Sequence, residues 1–125
     1  MKALALLFVL LLGASGGLLA ADDPADVLGE ARELRGDGEL EGAAELLDET
    51  LETLSPTDPV YQEMYLERNY HWRMAKMREQ IRDDDVEGAR ETHTEVERFL
   101  RGHPQRSRFI DNVDRYDLVI RGRER

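Results

Sequence analysis

One recurrence constrains this chain more than any other feature. The stretch GELEGAAELLDETL, beginning at Gly38, returns 46 positions later as DDVEGARETHTEVE, beginning at Asp84. Leu40-Glu41-Gly42-Ala43 pairs with Val86-Glu87-Gly88-Ala89, and upstream Ala31-Arg32-Glu33 pairs with Met77-Arg78-Glu79. Ala43 and Ala89 sit early in each copy, where a small side chain lets a neighbouring helix approach closely. One helical hairpin cannot cover its own apolar surface, so a chain that carries two is expected to stack them.

The helix signals agree with that expectation. Asp23-Pro24 reads as an N-cap followed by proline in the first turn. Val27, Ala31 and Leu34 recur on one face until Gly36-Asp37-Gly38 allows a tight turn, with Leu28 off the stripe and facing the next element. Leu40, Ala43, Ala44, Leu47, Leu51 and Leu54 form the next stripe, ended by Ser55-Pro56. Asp58-Pro59 opens a long third helix to about Arg82. It carries two apolar faces: Tyr61, Met64, Tyr65, Trp72 and Ala75 on one side, and Leu66, Tyr70, Met74, Met77 and Ile81 opposite. A helix apolar on two faces needs neighbours on both, which makes it the middle of the structure. Asp83-Asp84-Asp85 caps a fourth helix striped by Val86, Ala89, His93, Val96 and Leu100, closed by Gly102-His103-Pro104. Its turn, Ile81 to Val86, reads one residue shorter than Leu34 to Leu40. Ser107 caps a fifth helix bearing Phe109, Val113, Tyr116 and Ile120. No segment alternates as a strand does, and the expected fold is all-α.

Val27, Ala31, Leu34, Gly38, Ala43, Leu47, Leu51 and Pro56 follow the spacing of large, small and turn residues of the tetratricopeptide repeat (TPR) family, which the chain resembles over about Ala25 to Pro59. The second copy departs from the pattern: His93 stands where Leu47 does and Glu97 where Leu51 does. The resemblance implies two TPR-like antiparallel helical hairpins, about residues 24–54 and 59–101, and a C-terminal capping helix at about 107–122. It also implies a surface that binds a peptide or protein non-covalently, lined by the first helix of each repeat.

The chain begins with Lys2, the apolar run ALALLFVLLL and the small-residue stretch GASGG, the parts of a secretory signal. This assigns residues 1–21 to a signal peptide cleaved near Ala20 or Ala21, and residues 22–125 to the helical domain. A retained anchor is the alternative, because Ala3 to Ala21 approaches the roughly 20 residues that span a bilayer. Cleavage implies a periplasmic or secreted domain with no stable membrane insertion. The chain has no cysteine, so packing alone must hold that domain, without disulfide or thiolate chemistry. From Asp22 to Glu63 there are fourteen acids against Arg32 and Arg35, a net of −12, whereas seven arginines against four acids occupy the stretch from Arg101 to the end. The acidic body argues against nucleic acid as a partner. The arginine-rich end suits either the close of a last helix or salt-sensitive, head-to-tail self-association with the acidic first hairpin.

The third helix is where a partner surface is expected. Tyr61, Tyr65, Asn69, Trp72, Arg73 and Lys76 are the candidate partner-binding residues, since amides and cations beside aromatic edges suit a peptide backbone or carboxylate. The plainer reading puts the aromatics in the core and the polar row in water. His93 with Glu97 is either half a metal site or a histidine packed between helices. Asp83-Asp84-Asp85 lacks the alternation and glycine of a calcium loop. No catalytic set, metal site or cofactor is expected, and the chain reads as a binding protein rather than an enzyme. The lesser alternative is a small helical ligand- or metal-binding protein using His93 and Glu97.

Overall fold

A computed structural model describes residues 23–125. The signal assigned to residues 1–21 lies outside these. All regular structure among the described residues is helical. Helix α1 is Pro24–Gly36, α2 is Leu40–Thr53, α4 is Val86–Leu100 and α5 is Arg106–Glu124. The rod between them, α3, is one continuous run made of Tyr61–Leu66, a π-helical stretch Glu67–His71 and Trp72–Arg82. Among the described residues, no helix is long and apolar enough to cross a membrane.

Local chemistry sets the helix ends. The Asp23 carboxylate accepts from the Ala25 amide at 3.1 Å, with Pro24 at the first position, as the sequence predicts. At the first turn Gly38 takes φ +82°, so the Glu39 amide reaches back to the Leu34 carbonyl at 2.8 Å. Asp84 takes the same left-handed place at φ +61°, and Asp85 reaches the Gln80 carbonyl at 2.7 Å. Two further turn bonds correspond: Asp37 to Glu33 and Gly38 to Arg35 in the first, Asp83 to Glu79 and Asp84 to Ile81 in the second. Every one of these pairs is 46 residues apart, so the two turns have equal length. The apparent one-residue difference came from matching Leu34 to Ile81, whereas its counterpart is Gln80. Two starts also shift. Pro59 belongs to a turn in which the Asp58 side chain accepts from the Val60 amide at 2.9 Å, and α3 begins at Tyr61. Gln105, not Ser107, precedes α5, and it makes no side-chain cap.

The equivalent glycines Gly42 and Gly88 separate the two turns. A Cβ at Gly42 would meet only the Leu34 Cδ1 at 3.9 Å. A Cβ at Gly88 would strike the Asp85 carboxylate, which accepts from the Gly88 amide at 3.0 Å and caps α4, and would lie 2.8 Å from the Gln80 Nε2. Gly42→Ala is therefore expected to raise stability by about 0.5–1 kcal/mol. Gly88→Ala should gain nothing, because losing the cap costs about 1 kcal/mol. Urea unfolding of the two variants checks this contrast.

The core lies on both sides of α3. On one side Leu28 and Ala31 of α1, Leu47 of α2 and Met64 of α3 are buried together. On the other, Tyr70, Met74 and Met77 pack with Ala89, Val96 and Leu100 of α4 and Phe109, Val113 and Ile120 of α5. Helix α1 packs on α2, α3 on α4, and α4 on α5. The second stripe is buried at Tyr70, Met74 and Met77, whereas of the first only Met64 is buried and Tyr65 is exposed. Ion pairs secure the end of the array. Arg90 of α4 holds Asp117 at 2.7 Å and Glu124 at 3.2 Å on α5, and the Arg90 hydrogen bond lowers the Asp117 carboxyl below its usual range. Arg123 donates to the Ile81 carbonyl and pairs with Asp84. Part of the arginine-rich terminus is thus spent inside the fold.

Candidate binding cleft

Two sides of α3 have different neighbours, and this divides its functional side chains. Toward α2 and α4 lie the six residues singled out from the sequence. The Trp72 indole N–H donates to the Leu40 carbonyl at 2.7 Å, and the Arg68 guanidinium lies 4.3 Å over its ring while holding Asp48 of α2. Arg73 pairs with Glu95 of α4, Lys76 with Glu79 at 3.5 Å, and the Asn69 amide donates to its own helix at the Tyr65 carbonyl. Tyr61 stacks on Tyr65 with ring centroids 5.8 Å apart, and Tyr65 tilts against Phe99 of α4. Trp72 and Lys76 border a hollow of about 600 Å³ that also takes Glu39, Glu41, Glu45 and Glu79. The six do not converge on one pocket. Asn69, Trp72, Arg73 and Lys76 each already spend one polar atom on a partner within the fold, while the Arg73 Nε is buried without one.

The opposite side of α3 faces α1 and α5, and here the π-helical stretch matters. An extra residue in the turn widens it and rotates the helix beyond, an arrangement that recurs at functional sites. The stretch opens on Glu67, one turn beyond buried Met64, and this residue is only 1% exposed. Arg35 grips this carboxylate with both Nε and Nη2, and Arg32 adds a bond at 3.4 Å. A polar residue that deep is tolerable because its oxygens are charge-paired and hydrogen-bonded.

The same stretch sends Tyr70 and His71 into a cleft of about 290 Å³ that is completed by Arg35, Met74, Arg78, Arg108, Phe109 and Asn112. Tyr70 lies 4.3 Å from the Phe109 ring, His71 meets Phe109 edge-on at 5.8 Å, and Asn112 donates to the Tyr70 hydroxyl at 3.4 Å. Arg108 stands 5.3 Å over the Phe109 ring. Burial pushes the His71 imidazole below its ordinary value; Glu67 pulls it up, and Arg35, Arg32 and Arg108 push it down. The cleft thus joins a ring-lined floor to three guanidinium groups, with no carboxylate among its lining residues.

His93, the other singled-out residue, lies elsewhere. It is buried between α4 and α5, with Nε2 donating to the Val113 carbonyl at 2.9 Å and Nδ1 3.6 Å from Glu97. One ring nitrogen is therefore committed to the α5 backbone. Among the described residues, no group of three or more histidine, aspartate or glutamate side chains is placed to hold a metal ion. Compared with protein-family models, curated proteins and solved structures, the chain matches none significantly.

Proposed function

We propose that this chain is a non-covalent binding module for a peptide or a segment of protein surface, exported to the periplasm or beyond. In this reading it is built as two TPR-like hairpins closed by α5. The observation that carries the proposal is the cleft between α1, α3 and α5, which gathers guanidinium forks, an amide and ring faces from three helices. That chemistry is recognition: planar donors hold oxyanions, and aromatic planes stack on the groups between them. The repeat reading draws support from the equivalent hydrogen-bonded turns at Gly38 and Asp84. If α1 and α3 are the first helices of two repeats, the face that the resemblance expects to bind is the face that holds the cleft. Export rests on the Lys2 start and the apolar run beside it.

A second reading, self-association as an accessory subunit, is favoured by one observation: Leu118 on α5 is 68% exposed. A photo-reactive residue in place of Asn112, in the native cell, separates the two. It is expected to yield a discrete adduct with another polypeptide, while the same residue at the exposed Glu91 of α4 yields none. Equal labelling at both positions refutes the cleft as the binding face. Adducts with a second copy alone favour the accessory-subunit reading.

A further inference from the structure

We infer that the cleft between α1, α3 and α5 binds the carboxylates of an acidic peptide segment, gripped by Arg78 and Arg108 over the Tyr70–Phe109 ring pair. This assignment rests on the binding-module reading above and adds the chemistry of the partner. The chain carries a net charge of −10, so its cations have many acids to choose from. Arg68, Arg73, Arg90 and Arg123 each hold a carboxylate. Of the fifteen arginines, eight hold no carboxylate among the described residues, and of those eight only Arg78 and Arg108 border the cleft; Arg108 bonds only the Gln105 amide oxygen, at 3.2 Å. A guanidinium lying over a ring still offers its in-plane N–H edge, the edge that matches a carboxylate with two parallel bonds. Arg35 contributes field rather than a free fork, because its own edge holds Glu67.

The cleft is small, about 290 Å³, and is lined from three helices, so it suits acidic side chains presented by an extended segment. The hollow on the other side of α3, bordered by Glu39, Glu41, Glu45 and Glu79, repels the same segment and so restricts it to one face.

The test uses the full chain and three fluorescent peptides: one rich in glutamate and aspartate, its glutamine and asparagine counterpart, and a phosphoserine peptide free of other acids. Anisotropy is expected to show saturable, salt-sensitive binding of the acidic peptide alone. Arg78→Gln and Arg108→Gln should each weaken it about tenfold. The double variant Arg98→Gln/Arg101→Gln, at exposed positions in and just after α4, removes one more positive charge than either and should leave it unchanged. Arg78 and Arg108 lie at the surface, and circular dichroism verifies that their variants stay folded. Equal binding of the amide peptide, equal weakening by the α4 pair, or binding of the phosphoserine peptide alone overturns the carboxylate assignment. So does an Arg78-dependent dimer that takes no peptide. A cross-link from Asn112 to another polypeptide without acidic-peptide binding sinks this inference and leaves the module reading standing.

Discussion

Glu67→Ala is expected to lower the free energy of unfolding by about 2–3 kcal/mol, somewhat below the roughly 3–5 kcal/mol seen when a buried ion pair loses one member. The reduction comes from the partners. Side chains of Arg32 and Arg35 are 45% and 25% exposed, so the cations left behind recover part of their hydration, whereas Glu67 is 1% exposed. Glu67→Gln keeps the volume and one acceptor oxygen, and should cost about half as much. In a double-mutant cycle with Arg35→Met, the two losses should fail to add by more than about 1 kcal/mol, since both remove the same forked contact. Urea unfolding gives these values. The damage should also be local: the Glu67 cluster is the polar link between α1 and α3, so amide exchange in α1 is expected to accelerate before that in α4. A Glu67→Ala protein within about 0.5 kcal/mol of the parent would mean that the carboxylate is not confined between the two arginines.

The buried carboxylate also marks where sequence patterning stops being legible. Helix ends are readable because their causes are local: Asp23 before Pro24, Gly38 in a left-handed turn, the Asp83-Asp84-Asp85 run before Val86. The helical class and the need for neighbours on both sides of α3 are readable from apolar spacing alone. A regular wheel of 100° per residue, however, assumes an unbroken α-helix. The π-helical stretch Glu67–His71 inserts an extra residue and turns everything beyond it relative to Tyr61 and Tyr65. Such a wheel puts Trp72 beside Tyr61, yet the structure seats Trp72 against Leu40 of α2 and Tyr65 against Phe99 of α4. Nothing in the local sequence signals the insertion.

The cleft was hidden for a related reason. Its arginines come from α1, α3 and α5, and each looks like an ordinary solvated helix position within its own segment. Only the packing of α5 against α4, and the Arg35–Glu67 pair that joins α1 to α3, brings Arg35, Arg78 and Arg108 to one surface. One hint was available. Arg32 and Arg78 are equivalent under the 46-residue repeat, yet Arg32 has Glu67 to hold, while Arg78 holds no carboxylate among the described residues.

The same repeat makes the second large prediction. His93 occupies the place that Leu47 fills in the first helix pair, and both are buried, His93 to 1% and Leu47 to 0% exposure. The Nε2–H of His93 is satisfied by the Val113 carbonyl, but Nδ1 is buried with Glu97 3.6 Å away, too far for a hydrogen bond. His93→Ala should cost about 2–4 kcal/mol, since it empties the gap between α4 and α5. His93→Leu refills most of that volume and removes an unsatisfied nitrogen. Val113 lies within α5, where its carbonyl retains a helical acceptor role. The leucine variant should therefore stay within about 1 kcal/mol of the parent. Equal, large losses in both variants would show that the imidazole bond to Val113 holds α5 in place, and that the histidine is there for its polarity. Loss confined to the alanine variant identifies it as a filler of the space the repeat gives to leucine.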